Sequence, residues 1–248
     1  MNPKLVVLAA LVVLVLLVIW AQNSVYRSEQ RRRRYARRLY SGLQFRTGDL
    51  LLFDSSAFNA PIKWATLSPY SHAGVVLMVG GVPHIAEISR PGVPVLRKTA
   101  IPASAGGKVL PPSAFERVPP GTTVLPLALR LRDYPGRAFV ARLDRPLSAA
   151  QEEKIARAAF DDNRKFATPL DQIAGAGLGL WRPRSLHCCQ HVNRMLNAAG
   201  AHRNGKPLPE TALIGSMRAI SNPDEIHFPG GARFSPPVEI LYDLSASS

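Results

Sequence analysis

Three short apolar runs follow one another in the first half of this chain: "DLLLF" (49–53), "AGVVLMV" (73–79) and "PHIAEIS" (83–89), with Gly80-Gly81 between the last two. Runs this short and this rich in Val, Ile and Leu read as strands, and a Gly-Gly pair supplies the positive φ angles of a tight β-hairpin. A globular part that begins this way is committed to an antiparallel sheet. Helices must come from other segments. "SAFNAPIKWATLS" (56–68) spaces its apolar residues helically, and Ser148 caps "SAAQEEKIARAAFDDNRKF" (148–166), which has acids near its start and Lys165 near its end. A further helix is expected from His187 to Ala199, stopped by Gly200.

The remaining segments fill in an α+β fold with helices packed on an antiparallel sheet. "TTVLPLALRL" (122–131) and "GRAFVARL" (136–143) read as strands, the first demoted to an edge by Pro126, and "PVEILYDL" (237–244) as a last strand. Residues 90–121 are proline-rich and carry "SAGGK", which predicts an irregular insertion with at most one short helix, near Pro112–Arg117. "DQIAGAGLGLWRPR" (171–184) reads as a glycine-rich loop after a short helix. A chain of 248 residues, 46% hydrophobic, can bury one good core, and 42–248 is taken as a single domain.

The formal charge of +14 suggests a nucleic-acid binder until it is mapped. Residues 1–46 hold nine Lys or Arg against the single acid Glu29, so eight of the fourteen excess charges sit on one arm. Within it, Leu5 to Ala21 is an unbroken apolar run of 17 residues, about 25 Å of helix at 1.5 Å per residue. Residues 1–22 are therefore expected to be a transmembrane anchor and 23–41 an Arg-rich juxtamembrane linker, with Arg27–Arg38 against anionic head groups. The arginines follow the apolar run rather than precede it, which argues against a cleaved signal peptide and puts the domain on the cytoplasmic side of a single-pass protein. No aromatic interleaving or zinc spacing points to a specific nucleic-acid partner.

"SLHCCQHVNRML" (185–196) holds the only two cysteines. Neighbouring cysteines suit neither a disulfide framework nor a C-x-x-C redox pair. A metal site could use His187 and His191, four apart on one helical face, but no distant cysteine pair completes a tetrahedral set, and neither a metal nor an organic cofactor is expected. A buried, inert thiol is the plain alternative. Against it stands position: Cys188 lies in the first turn of the expected helix, where the macrodipole and unpaired amides favour a thiolate and can bind an oxyanion. A base would have to come from one of six histidines: 72, 84, 187, 191, 202 or 227.

"TGDLLLFDSS" (47–56), "IKWATLSPYSHAGVVL" (62–77), "PHIAEIS" (83–89) and "CCQHVNRML" (188–196) together resemble the four blocks of the circularly permuted papain-like, NlpC-type cysteine hydrolases. The closest branch is the YiiX-like one, related to lecithin:retinol acyltransferase. The resemblance spans about 48–200, apart from 90–121. It implies a permuted papain-like fold with Cys188 as nucleophile, His72 as base and Glu87 as orienting acid. Cys-Cys-Gln-His-Val replaces the family's usual Cys-Ser-Glu-Leu-Val, which makes Cys189 the alternate nucleophile, while Val192 favours Cys188. His84 stands where the acyltransferase relatives carry a second histidine. On an alternating strand only one of His84 and Glu87 can face the site, and Glu87 is preferred because an acid in an apolar strand needs a reason to be there. Gln190 is expected as a hydrogen-bonder behind the site, Tyr70 as a wall residue and Asp49 as a turn holder.

The implied activity is that of a membrane-anchored thiol hydrolase or acyltransferase. It would cleave an amide, ester or thioester of a peptide, protein or lipid through a Cys188 acyl-enzyme. The competing expectation is a catalytically idle, membrane-bound scaffold of the same fold.

Overall fold

The computed structural model describes residues 35–54, 68–89, 94–96, 115–117, 121–132, 134, 136–161, 187–210 and 213–242. In chain order these form β1 (Arg37–Leu39), β2 (Leu50–Asp54), β3 (His72–Val79), β4 (Val82–Ser89), β5 (Pro94–Leu96), β6 (Phe115–Arg117), β7 (Gly121–Pro126), α1 (Leu127–Arg132), β8 (Arg137–Ala141), α2 (Ala149–Asp161), α3 (Cys188–Ala198), β9 (His202–Arg203), β10 (Lys206–Pro207), α4 (Leu213–Ser221) and β11 (Val238–Leu241). Seven strands make one sheet in the order β1-β11-β8-β2-β3-β4-β7, giving a mixed α+β architecture. Every pairing in it is antiparallel except β1 with β11, which joins the two ends of the described chain in parallel.

Gly80 and Gly81 adopt φ of 60° and 80°, and β3 and β4 close on Val79 opposite Val82, as the Gly-Gly pair demands. The unbroken apolar run of β2 has a simple cause: the sheet is covered on both faces. Leu50 and Leu52 point with Val75 and Leu77 into a core shared with Ile155 of α2, Val192 and Met195 of α3 and Met217 of α4. Leu51 and Phe53 point with Val76 and Ile85 to the other face, under Leu127 and Leu131 of α1. Burying either set contributes roughly 1.5–3 kcal/mol per large side chain, so the sheet is held from both sides. Ser148 starts α2 as expected, its N–H donating to Gln151 Oε1 at 3.0 Å, while Gln151 Nε2 reaches the Ala199 carbonyl at the far end of α3 at 3.1 Å.

Three expectations are corrected. "TTVLPLALRL" is not one strand: β7 ends at Pro126, on the sheet edge, and the chain turns there into α1. Proline cannot continue a strand ladder and suits the start of a helix. Where at most one short helix was expected near Pro112–Arg117, Phe115–Arg117 is strand β6, paired with β5. Most consequentially, among the described residues no helix is long and apolar enough to cross a membrane. The longest, α2, has 13 residues, about 20 Å against a hydrocarbon core of about 30 Å. That overturns the transmembrane helix expected to precede the fold and the single-pass membrane localisation drawn from it. The Leu5–Ala21 run itself lies outside the described residues, as do the helix expected at 56–68, apart from Ser68, and the loop at 171–184. Of the arginines expected to face lipid, Arg37 is on β1 and donates from Nε to Glu239 of β11 at 2.9 Å.

Candidate active site

His72 opens β3, and Glu87 lies on the neighbouring strand β4. Their side chains lie on the α1 face of the sheet, the face of Phe53, Val76 and Ile85. Gly74 makes this meeting possible, since a Cβ there would come within 2.6 Å of the Ile85 side chain and 3.0 Å of the Ala86 carbonyl. Glu87 Oε2 stands 2.6 Å from His72 Nε2, and Glu87 Oε1 accepts a hydrogen bond from Arg130 Nε at 2.7 Å. Arg130 comes from α1, and its guanidinium lies 5.1 Å from the ring centres of both Phe53 and Tyr134. Phe53 in turn packs against the His72 ring, with centroids 5.5 Å apart.

Glu87 is wholly buried, and burial alone would push its carboxyl up. The Arg130 charge and then that of His72 overcome burial and hold it down at about 2. His72 shows the mirror image. Burial alone would lower its imidazole, but the charges of Glu87 and then Cys188, with hydrogen bonds to both, raise it to about 9. Because Nε2 is taken by Glu87, Nδ1 is the nitrogen left for the Cys188 sulfur.

Cys188 is the first residue of α3, set by an extended His187 at the N-cap. His187 and Gln190 form a capping box in which the His187 N–H donates to Gln190 Oε1 at 2.9 Å. This pins the first turn and the sulfur with it. The Cys188 thiol is held well below its ordinary range, first by a hydrogen bond with Cys189, then, against burial, by the charge and hydrogen bond of His72. Burial pushes the Cys189 thiol well up, and its hydrogen bond to Cys188 pushes it further. The pairing favours the thiolate at Cys188 and the thiol at Cys189.

The structure therefore brings Cys188, His72 and Glu87 together, with Cys188 rather than Cys189 on the histidine. It does not bring His84 there. His84 pairs with Leu77, five residues or roughly 17 Å along β3 from His72. Its Nδ1 donates to the Val82 carbonyl at 2.9 Å, and burial lowers its pKa. Gln190 acts on the first turn of α3, which carries Cys188, through the capping box. Tyr70 is fully buried, its hydroxyl 3.3 Å from that of Tyr35 and its ring edge-on to Phe139 at 5.5 Å. Asp49 holds the turn before β2 at the other end of the sheet, accepting from the Arg46 and Leu143 amides at 2.9 and 2.8 Å. Among the described residues no group of three or more His, Cys, Asp and Glu side chains could hold a metal ion.

Arg130 is the residue that the sequence reading missed. A wholly buried carboxylate demands a counter-charge. The arginine inside "LPLALRL" is the signal that supplies it, once that segment turns from strand to helix.

No protein-family model and no curated protein matches this chain. Among solved structures it is similar to one described as "metalloprotein yiiX from Escherichia coli O157:H7, DUF1105", at 18% identity over 81% of this chain and 99% of that one, with a TM-score of 0.41. A likeness that loose leaves the chemistry to the geometry of the site.

Proposed function

We propose that this protein is a cysteine hydrolase or acyltransferase of the permuted papain-like kind. The Cys188 thiolate attacks the carbonyl of an amide, ester or thioester, and the N-terminal amides and dipole of α3 stabilise the oxyanion. Collapse of the tetrahedral adduct expels the leaving group, which takes the Nδ1 proton of His72. Water, or an acceptor alcohol or amine, then attacks the thioester while the same nitrogen removes its proton. Glu87 accepts from Nε2, fixes the tautomer that turns Nδ1 to the sulfur, and stabilises the imidazolium. Arg130 positions Glu87 and keeps it ionised.

The observation that carries this reading is the relay itself: a helix-capped thiol on one ring nitrogen of His72, with a buried, ion-paired carboxylate on the other. The test is labelling of the full chain by a chloroacetamide probe at neutral pH. Labelling lost in Cys188→Ala and retained at Cys188 in Cys189→Ala supports the enzyme. Equally slow labelling of both cysteines supports an idle scaffold instead.

A further inference from the structure

A cavity of about 790 Å³, separate from Cys188, opens between β1, the approach to β11 and the end of α4. Arg142, in its wall, follows the last residue of β8, and that residue, Ala141, pairs with Leu50 of β2. His72 pairs with Phe53 at the opposite end of β2, so the length of that strand separates cavity from thiol. Arg38, Arg46 and Arg142 all line the cavity, with apolar surface from Leu43, Pro237 and Val238.

Three arginines lining one space repel each other unless something compensates. No side-chain hydrogen bond or ion pair ties any of the three to a described residue, and Arg142 Nε is buried without a partner. Asp49 stands close enough for the charges of Arg142 and Arg46 to lower its pKa, but its two oxygens are occupied by the Leu143 and Arg46 amides. It therefore attracts the arginines without using their side-chain donors. Asp144, also in the wall, is shared between Arg145 at 3.8 Å and Arg233 at 3.5 Å, while Asp224 is exposed. The cavity thus offers unused, partly shielded donors beside an apolar wall.

We propose that this cavity binds an organic phosphate monoester, with its head group among Arg38, Arg46 and Arg142 and its body against Leu43, Pro237 and Val238. Three separate guanidinium forks match a dianion with three acceptor oxygens better than a carboxylate, which a single fork can satisfy. The volume lies in the range of small-molecule sites and far exceeds what inorganic phosphate fills.

The test is calorimetric titration of the full chain with phenyl phosphate, inorganic phosphate and benzoate. Saturable binding of phenyl phosphate with a Kd below about 1 mM is expected, at least about tenfold tighter than either control and about tenfold weaker in Arg142→Met. Arg46→Met, read alone if Arg142→Met fails to fold, should also weaken it, and neither change should alter Cys188 labelling. No saturable heat up to about 10 mM, or an unchanged Kd in the folded variants, overturns the site. Equal binding of benzoate overturns the phosphate assignment, and equal binding of inorganic phosphate overturns the organic body.

Discussion

Glu87 and Asp49 are both wholly buried acids on one sheet, yet their environments drive them in opposite directions. Asp49 faces backbone amides, with arginine charges nearby but not bonded to it, and burial wins, leaving its carboxyl at about 6. Glu87 is bonded directly to Arg130 and His72, and the partners win, taking it to about 2. The difference teaches that burial alone does not mark a reacting carboxylate. What separates them is the company each keeps: Asp49 ties a turn to the end of β8, whereas Glu87 lies within a chain of charges that ends on the Cys188 thiol.

The contrast can be broken most forcefully at Glu87 itself. Glu87→Gln strands the Arg130 charge in the interior and should destabilise the fold by about 3–5 kcal/mol in chemical denaturation. It should also slow Cys188 labelling at neutral pH by at least about tenfold, since each unit of lost thiol pKa depression is tenfold in thiolate. Asp49→Asn should cost only about 1–3 kcal/mol, for one backbone amide left facing an NH₂ group, and leave labelling unchanged. Arg130→Met should act like a milder Glu87→Gln, with Arg130→Lys recovering part of the labelling rate because it restores charge but not the guanidinium fork.

The pH dependence of thermal stability sharpens the same contrast. Glu87 has a lowered pKa in the fold, so its contribution is present above the ordinary carboxylate value and lost as pH falls through about 2. Asp49 has a raised one, so its contribution is present below that value and lost as pH rises through about 6. Asp49→Asn should therefore flatten the melting curve between about pH 4 and 6, and Glu87→Gln should flatten it in strong acid. His72 contributes below its ordinary pKa and loses that contribution as pH passes about 9. The smallest effect on stability is expected at Cys189. Removing its S–H donor in Cys189→Ala takes away the largest single cause of the lowered Cys188 thiol, so that thiol should rise and its labelling should slow.

Local patterns were legible in the sequence. The Gly80-Gly81 hairpin, the capped start of α2 and the alternation separating Glu87 from His84 are all properties of one or two neighbouring elements, and they appear in the structure as read. What escaped depends on distant partners. β1 is a strand because β11, some two hundred residues later, pairs with it, and nothing in "RRL" announces that. Arg130 has no assignable partner in a strand reading of "LALRLR", because only the turn into α1 at Pro126 swings it over Phe53 and onto Glu87. Phe115–Arg117 is a strand for a similar reason: pairing with β5 decides the conformation of β6. The Leu5–Ala21 run shows a further limit, since hydropathy alone establishes neither an anchor nor a localisation.

The central claim is that His72 holds the Cys188 sulfur as a thiolate. The most direct measurement is the pH dependence of the Cys188 alkylation rate, followed by intact-protein mass, in the Cys189→Ser background and in the same background with His72→Ala. The relay predicts an apparent thiol pKa well below the ordinary value while His72 is present, and a rise toward or above that value when it is removed. The same ordinary pKa in both proteins would contradict it.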